Sequence, residues 1–179
     1  MSYLKFDKEQ LVNLGYSLPR ELLRTNRAGS YSSTTIIGCN TRKYHGLVIT
    51  AQPGVDKGLH VLLSSLDETV IQHDAEFNLG IHMFKDEVFS PKGHKYIIDL
   101  GADPIPYVVY RVGGVVLKKE RLFSTSQNRF LTKYTLVDAH SKTTLRLRPF
   151  LAFRNRHHVM KANNYADTRY FPIDNGIKM

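Results

Sequence analysis

The feature that most constrains this chain is a succession of short apolar runs that never settle into a helical period. Ile36-Ile37 and residues 45–51, 59–63, 69–72 and 95–98 are each a few residues long, with Gly, Pro and polar residues between them. Residues 107–112 lead into Gly113-Gly114 and then Val115-Val116-Leu117, which predicts a hairpin closed by a two-glycine turn. Residues 129–137 are rich in β-formers. In residues 144–148 Leu145 and Leu147 alternate with Arg146 and Arg148, as on the two faces of a strand. One short helix is predicted to start near Asp7. Many short strands with frequent turns predict an all-β fold, an antiparallel β-sandwich with few or no long helices.

The 179 residues suit one domain and are too few for a TIM barrel, which needs roughly 250. Hydrophobic residues at 42% are enough for a core and too many for a disordered chain. Lys and Arg number 25 against 16 Asp and Glu, so the net charge is 25 − 16 = +9. Such a charge predicts either a polyanionic partner or basic residues spread over a surface or another interface. The basic component is Lys118, Lys119 and Arg121, then Arg146 and Arg148 on one strand face, with Arg154 and Arg156 extending it. No recognition helix, RNP-like motif or zinc finger accompanies them, so a nucleic-acid partner is disfavoured.

No apolar run approaches 18 residues, so no membrane-spanning helix is expected. The charged N-terminus lacks the apolar stretch of a signal peptide, which makes a cytoplasmic setting the expectation. Cys39 is the only cysteine, so neither an intrachain disulfide nor a cysteine-rich zinc site can form. The eight histidines show no ligand spacing, and neither a metal nor a cofactor is predicted.

Two stretches are dense in polar and small residues, 21–31 and 40–47. Arg42 and His45 can donate to hydroxyl or carboxylate groups. Tyr44 offers a flat face for a ring. Asn26 and Asn40 can both donate and accept. The opposing reading is a loop whose side chains satisfy its own backbone. Asp67-Glu68 could suggest the acid and base of glycoside chemistry, but neighbours on a strand point to opposite faces. A strand-end turn or an ion pair is therefore expected there, and likewise for Asp86-Glu87. A Cys39 nucleophile with His45 as base competes with an inert buried thiol. Residues 163–179 read as loop with a turn at Asp174-Asn175-Gly176. Ile177-Lys178-Met179 look like a strand just beginning, as though the sequence ended in mid-structure.

Three stretches together resemble the N-terminal domain of bacterial and archaeal glycogen debranching enzymes of the amylo-α-1,6-glucosidase type. Residues 21–35 are similar to that family's E-W-L-x-T-N-G-x-G-G-Y-x-x-G-T, residues 40–48 to its N-T-R-R-Y-H-G-L-L, and residues 62–68 to its L-L-S-x-L-D-E. Leu22 stands in place of the family tryptophan, and Arg27, Ser30 and Thr34 replace three glycines, which implies a differently shaped first loop. The resemblance implies a supersandwich-like β-sandwich filling residues 1–179, cut from a longer chain whose catalytic (α/α)6 domain is absent here. It implies a C-terminal catalytic domain of the same polypeptide and glycogen or a branched α-glucan as partners. No residue of this chain is expected to be catalytic. Asn26, Asn40, Arg42, Tyr44 and His45 are the expected rim or interdomain residues. A free-standing carbohydrate-binding module and a basic nucleic-acid-binding β-domain are the alternatives.

Overall fold

The structure, a computed structural model, describes residues 4–161, 163–165 and 167–179. Of these, 53% are strand and 9% helix, which is the all-β class the sequence predicts. The strands are β1 (Leu4–Asp7), β2 (Glu21–Thr25), β3 (Tyr31–Thr35), β4 (Gly46–Ala51), β5 (Leu59–Gln72), β6 (Ala75–Asn78), β7 (His82–Met83) and β8 (Phe89–Ser90). They continue with β9 (Ile97–Ala102), β10 (Pro106–Val112), β11 (Val115–Phe123), β12 (Phe130–Ala139), β13 (Thr144–Asn155), β14 (Phe171–Ile173) and β15 (Gly176–Lys178).

Two antiparallel sheets face each other. One runs β1-β9-β10-β11-β12, and the other runs β13-β5-β4-β3-β2 with β6 added beside β5. The 14-residue β5 is long enough to serve two neighbours along one edge. Its first half pairs with β4 and its second half with β6, while β13 covers the other edge. Val70 of β5 meets Leu100, Val108, Tyr110, Val115 and Leu117 of the first sheet in the core, joined by Leu11, Ile36, Ile37 and Cys39 from the connections. Burying such side chains stabilises by about 1.5–3 kcal/mol each.

The expected hairpin forms with Val112 opposite Val115. Gly113 and Gly114 have φ of +56° and +79°, the doubly positive pattern of a type I′ turn. A Cβ on Gly113 would also come within 2.6 Å of Phe77. The early helix is α1 (Lys8–Val12), capped by Asp7, whose carboxylate accepts from Gln10 N–H while the Gln10 side chain accepts from Asp7 N–H. This reciprocal cap satisfies two amides that the helix leaves open.

Two expectations are corrected, and of the two alternatives for Asp67-Glu68 the ion pair is the one that forms, at Glu68. Ile36-Ile37 is a buried turn, not a strand; its side chains cap the core from the connection between β3 and β4. Residues 163–179 are not all loop, because β14 and β15 pair around Asp174-Asn175, with Asn175 at φ +59°. Asp67-Glu68 lies inside β5 rather than at a strand end. Glu68 is ion-paired with Lys119 and Asp67 is hydrogen-bonded to His82, on opposite faces of the strand.

Candidate functional site

The connection from β3 to β4, residues 36–45, carries most of the expected site. His45 is fully buried at its end. Its Nδ1 accepts from Thr41 N–H at 3.0 Å, so that nitrogen is unprotonated and Nε2 carries the hydrogen. Nε2 lies 3.0 Å from Oε1 of Glu21 and donates to it. Arg42 pairs with the other carboxylate oxygen of Glu21. Its Nε is also 3.4 Å from His45 Nε2, but with Nε2 protonated two donors face each other there and no hydrogen bond forms. Burial pushes the imidazole below its ordinary value; Glu21 opposes the shift and the Arg42 charge adds to it. His45 is therefore a neutral positioning group.

Tyr44 is held from several sides. Its hydroxyl is 3.3 Å from His157 Nδ1, and the two rings meet edge to face at 5.6 Å. Its carbonyl accepts from the Tyr31 hydroxyl. Lys43 donates to the His157 carbonyl at 3.2 Å, and Arg154 donates to the Lys43 carbonyl at 2.7 Å. The end of β13 thus clamps the loop. The side chain of Arg42 still remains 56% exposed, and Tyr44 is 36% exposed.

Asn40 faces inward. It accepts from Thr34 Oγ1 at 3.0 Å and donates to the Ser64 carbonyl at 2.9 Å. Thr34, Asn40 and Ser64 border a cavity of about 20 Å³ whose wall includes Glu68, Lys119 and Arg121, room for one water. Lys119 donates to Glu68 at 3.0 Å and the Tyr134 hydroxyl donates to it at 2.7 Å. Burial raises the carboxyl pKa, but the charges of Lys119 and Arg121 and the Tyr134 hydrogen bond outweigh it and hold the group below its ordinary value. Tyr134 is pushed up by burial and by Glu68.

Asn26 stands apart, at the far end of β2 from Glu21. Its Oδ1 accepts from Ala28 N–H and Ser30 N–H, and its Nδ2 donates to the Gln127 carbonyl and Asn128 Oδ1. It ties the β2–β3 turn to the β11–β12 connection. Ser30, in a family glycine position, donates to Thr50 Oγ1. Neither Arg27, Ser30 nor Thr34 has a positive φ. Cys39 is buried, and burial raises its thiol to about 11. With both His45 nitrogens engaged elsewhere, no nucleophile–base pair forms. Among the described residues no group of three or more His, Cys, Asp or Glu could hold a metal ion, and no helix is long and apolar enough to cross a membrane.

The Glu21, Asn40, Arg42 and His45 cluster coincides with a match to a family model described as "Glycogen debranching enzyme N terminal", over residues 20–179. The chain belongs to the glycogen debranching enzyme N-terminal family. Comparison with curated proteins and with solved structures returns no match. The match places every member of the loop cluster inside the debranching-enzyme N-terminal region, along with β5 and the clamp at the end of β13. Two partners, Glu21 and His157, are not among the expected site residues. Glu21 opens the first motif and could have been singled out by its place there. His157 gives no local signal, since it lies 113 residues from Tyr44.

Proposed function

We propose that this chain is the non-catalytic N-terminal domain of an enzyme that hydrolyses α-1,6-glucosidic branch linkages of glycogen. In this reading it packs on the (α/α)6 catalytic domain of the same polypeptide, and the loop carrying Arg42 and Tyr44 shapes the rim of the active site. The observation that carries the reading is the loop itself. It is fixed by Glu21, Ser64, Arg154 and His157, yet it presents a guanidinium and a phenol outward. A rigid polar edge of this kind lowers the ordering cost of holding a substrate or a partner domain.

The basic residues favour this over a nucleic-acid role. Lys119 is buried against Glu68, Lys118 pairs with Glu120, and Arg146 pairs with Glu76. An electrostatic footprint for a phosphate backbone needs such cations free.

The test is Arg42→Ala and Tyr44→Ala in the full polypeptide, with kcat/KM measured on a branched dextrin. A tenfold or larger fall in either variant, about 1.4 kcal/mol, with an unchanged melting temperature supports the rim. An unchanged kcat/KM in both variants overturns it. Glucose release by the isolated chain above the buffer rate would overturn the non-catalytic assignment.

A further inference from the structure

A second polar site lies on the outer face of the β13-β5-β6 layer. The register aligns Asn78 of β6, Thr69 of β5 and Arg146 of β13 in one row across three strands. The next row places Asp67 opposite Arg148. These residues and Glu76 line a crevice of about 280 Å³, close to the lower end of small-molecule pockets at about 300 Å³. Neighbouring strands are about 4.8 Å apart and alternate residues about 7 Å, so the two rows span roughly 10 by 7 Å.

The chemistry of the crevice is mixed. Thr69 and Asp67 form its floor and are more than nine-tenths buried. Asp67 accepts from His82 Nε2 at 2.8 Å. The same Nε2 lies 3.0 Å from its other oxygen. Asn78 uses its Oδ1 to accept from Gly80 N–H, which leaves its two amide hydrogens for the crevice. Among the described residues the Thr69 hydroxyl and the Arg148 guanidinium make no hydrogen bond to protein. Both groups open to the crevice, where a ligand or water can bond them. Phe150 follows two residues after Arg148 on the same strand face, 39% exposed, with its ring 5.3 Å from that of His82.

The charges decide the ligand class. Arg146 and Arg148 balance Asp67 and Glu76, so the crevice is formally neutral and does not select an anion. Donors and acceptors lie side by side around a hydroxyl, with an aromatic edge next to them. That arrangement suits a neutral polyol, whose hydroxyls donate and accept in alternation. We propose that the crevice formed by Asp67, Thr69, Asn78 and Arg148 is a glucan-binding subsite, separate from the loop of Arg42 and Tyr44. It rests on the α-glucan reading above and adds an anchoring point to it.

The test titrates the chain with maltoheptaose and reads binding by saturation-transfer NMR and calorimetry. Binding in the millimolar range is expected, with at least fivefold weakening in Thr69→Val and in Arg148→Gln at unchanged melting temperatures. Inorganic phosphate at equal concentration is expected not to compete. Absence of maltoheptaose binding overturns the subsite, as does binding that both variants leave intact. Displacement by phosphate overturns the neutral-ligand assignment. The kinetics of Arg42→Ala are read separately, so the subsite and the rim can fail independently.

Discussion

The ammonium of Lys119 stands 3.0 Å from Oε2 of Glu68 between the two sheets, and both side chains are almost completely buried. Lys119 belongs to β11 and Glu68 to β5, so the pair links the two sheets through the core. Removing one partner of a buried pair leaves an uncompensated charge and costs about 3–5 kcal/mol. Lys119→Met and Glu68→Leu should each destabilise by that amount in urea unfolding. The double variant Glu68→Leu/Lys119→Met should recover much of the loss. Equal losses in the double and the single variants would show that the link has no energetic meaning.

The same pair shapes the acid limb. Glu68 has a folded pKa below its unfolded one, so its contribution is complete above the ordinary glutamate value of 4.5 and is lost as pH falls below it. His45 has a lowered folded pKa because burial disfavours its charge. A depressed histidine binds fewer protons when folded than when unfolded. Its contribution is therefore present above 6.5, its ordinary value, and declines as pH drops below that. Urea midpoints measured from pH 7.5 down to about 2.5 should fall in two stages. His45→Gln should flatten the upper stage relative to wild type and leave the lower one.

Glu21 serves a buried and an exposed partner, and the two bonds differ in worth. Glu21→Ala strands the Nε2 hydrogen of His45 in the interior, which costs about 1–3 kcal/mol. Arg42→Ala removes an exposed pair and should cost no more than about 1 kcal/mol. Nitrogen-15 spectra of His45 at pH 7.5 should report the neutral form protonated on Nε2. The opposite tautomer would reverse the hydrogen-bond directions around Thr41 and Glu21.

Gly113→Ala tests the hairpin. Alanine would meet both a positive φ and the Phe77 ring at 2.6 Å. A loss of about 1–3 kcal/mol is expected. Gly54→Ala, where nothing lies within 4 Å of the new Cβ, should stay within about 0.5 kcal/mol.

These contrasts trace what the sequence could and could not announce. Gly113-Gly114, the Asp7 cap and the alternation at Leu145 to Arg148 are local patterns, and each became the element it promised. The unity of β5 was hidden by Ser64-Ser65, two polar residues within an apolar run. Ser64 is there because Asn40 donates to it, a tertiary reason invisible in the run itself. Ile36-Ile37 read as strand because buried turns and buried strands share an apolar composition. Arg42, Tyr44 and His45 fall in one loop because they are neighbours in sequence. Asn26 shares its motif with Glu21, the partner of Arg42 and His45, but lies across the length of β2, a separation that only strand direction reveals.

That separation yields the last expectation, which concerns Asn26. Both polar atoms of its side chain are engaged, Oδ1 by two backbone amides and Nδ2 by Gln127 and Asn128. Asn26→Asp keeps the acceptor and loses the donor, whereas Asn26→Ala loses both. At about 1 kcal/mol for each net hydrogen bond, the alanine variant should lose more stability than the aspartate one. Amide exchange at Ala28 and Ser30 should quicken in Asn26→Ala and stay slow in Asn26→Asp. Because no hydrogen-bonding capacity is left over for a ligand, neither variant should change maltoheptaose affinity while the chain stays folded. A selective loss of affinity in Asn26→Asp, with exchange at Ala28 and Ser30 unchanged, would assign Asn26 a direct contact with sugar.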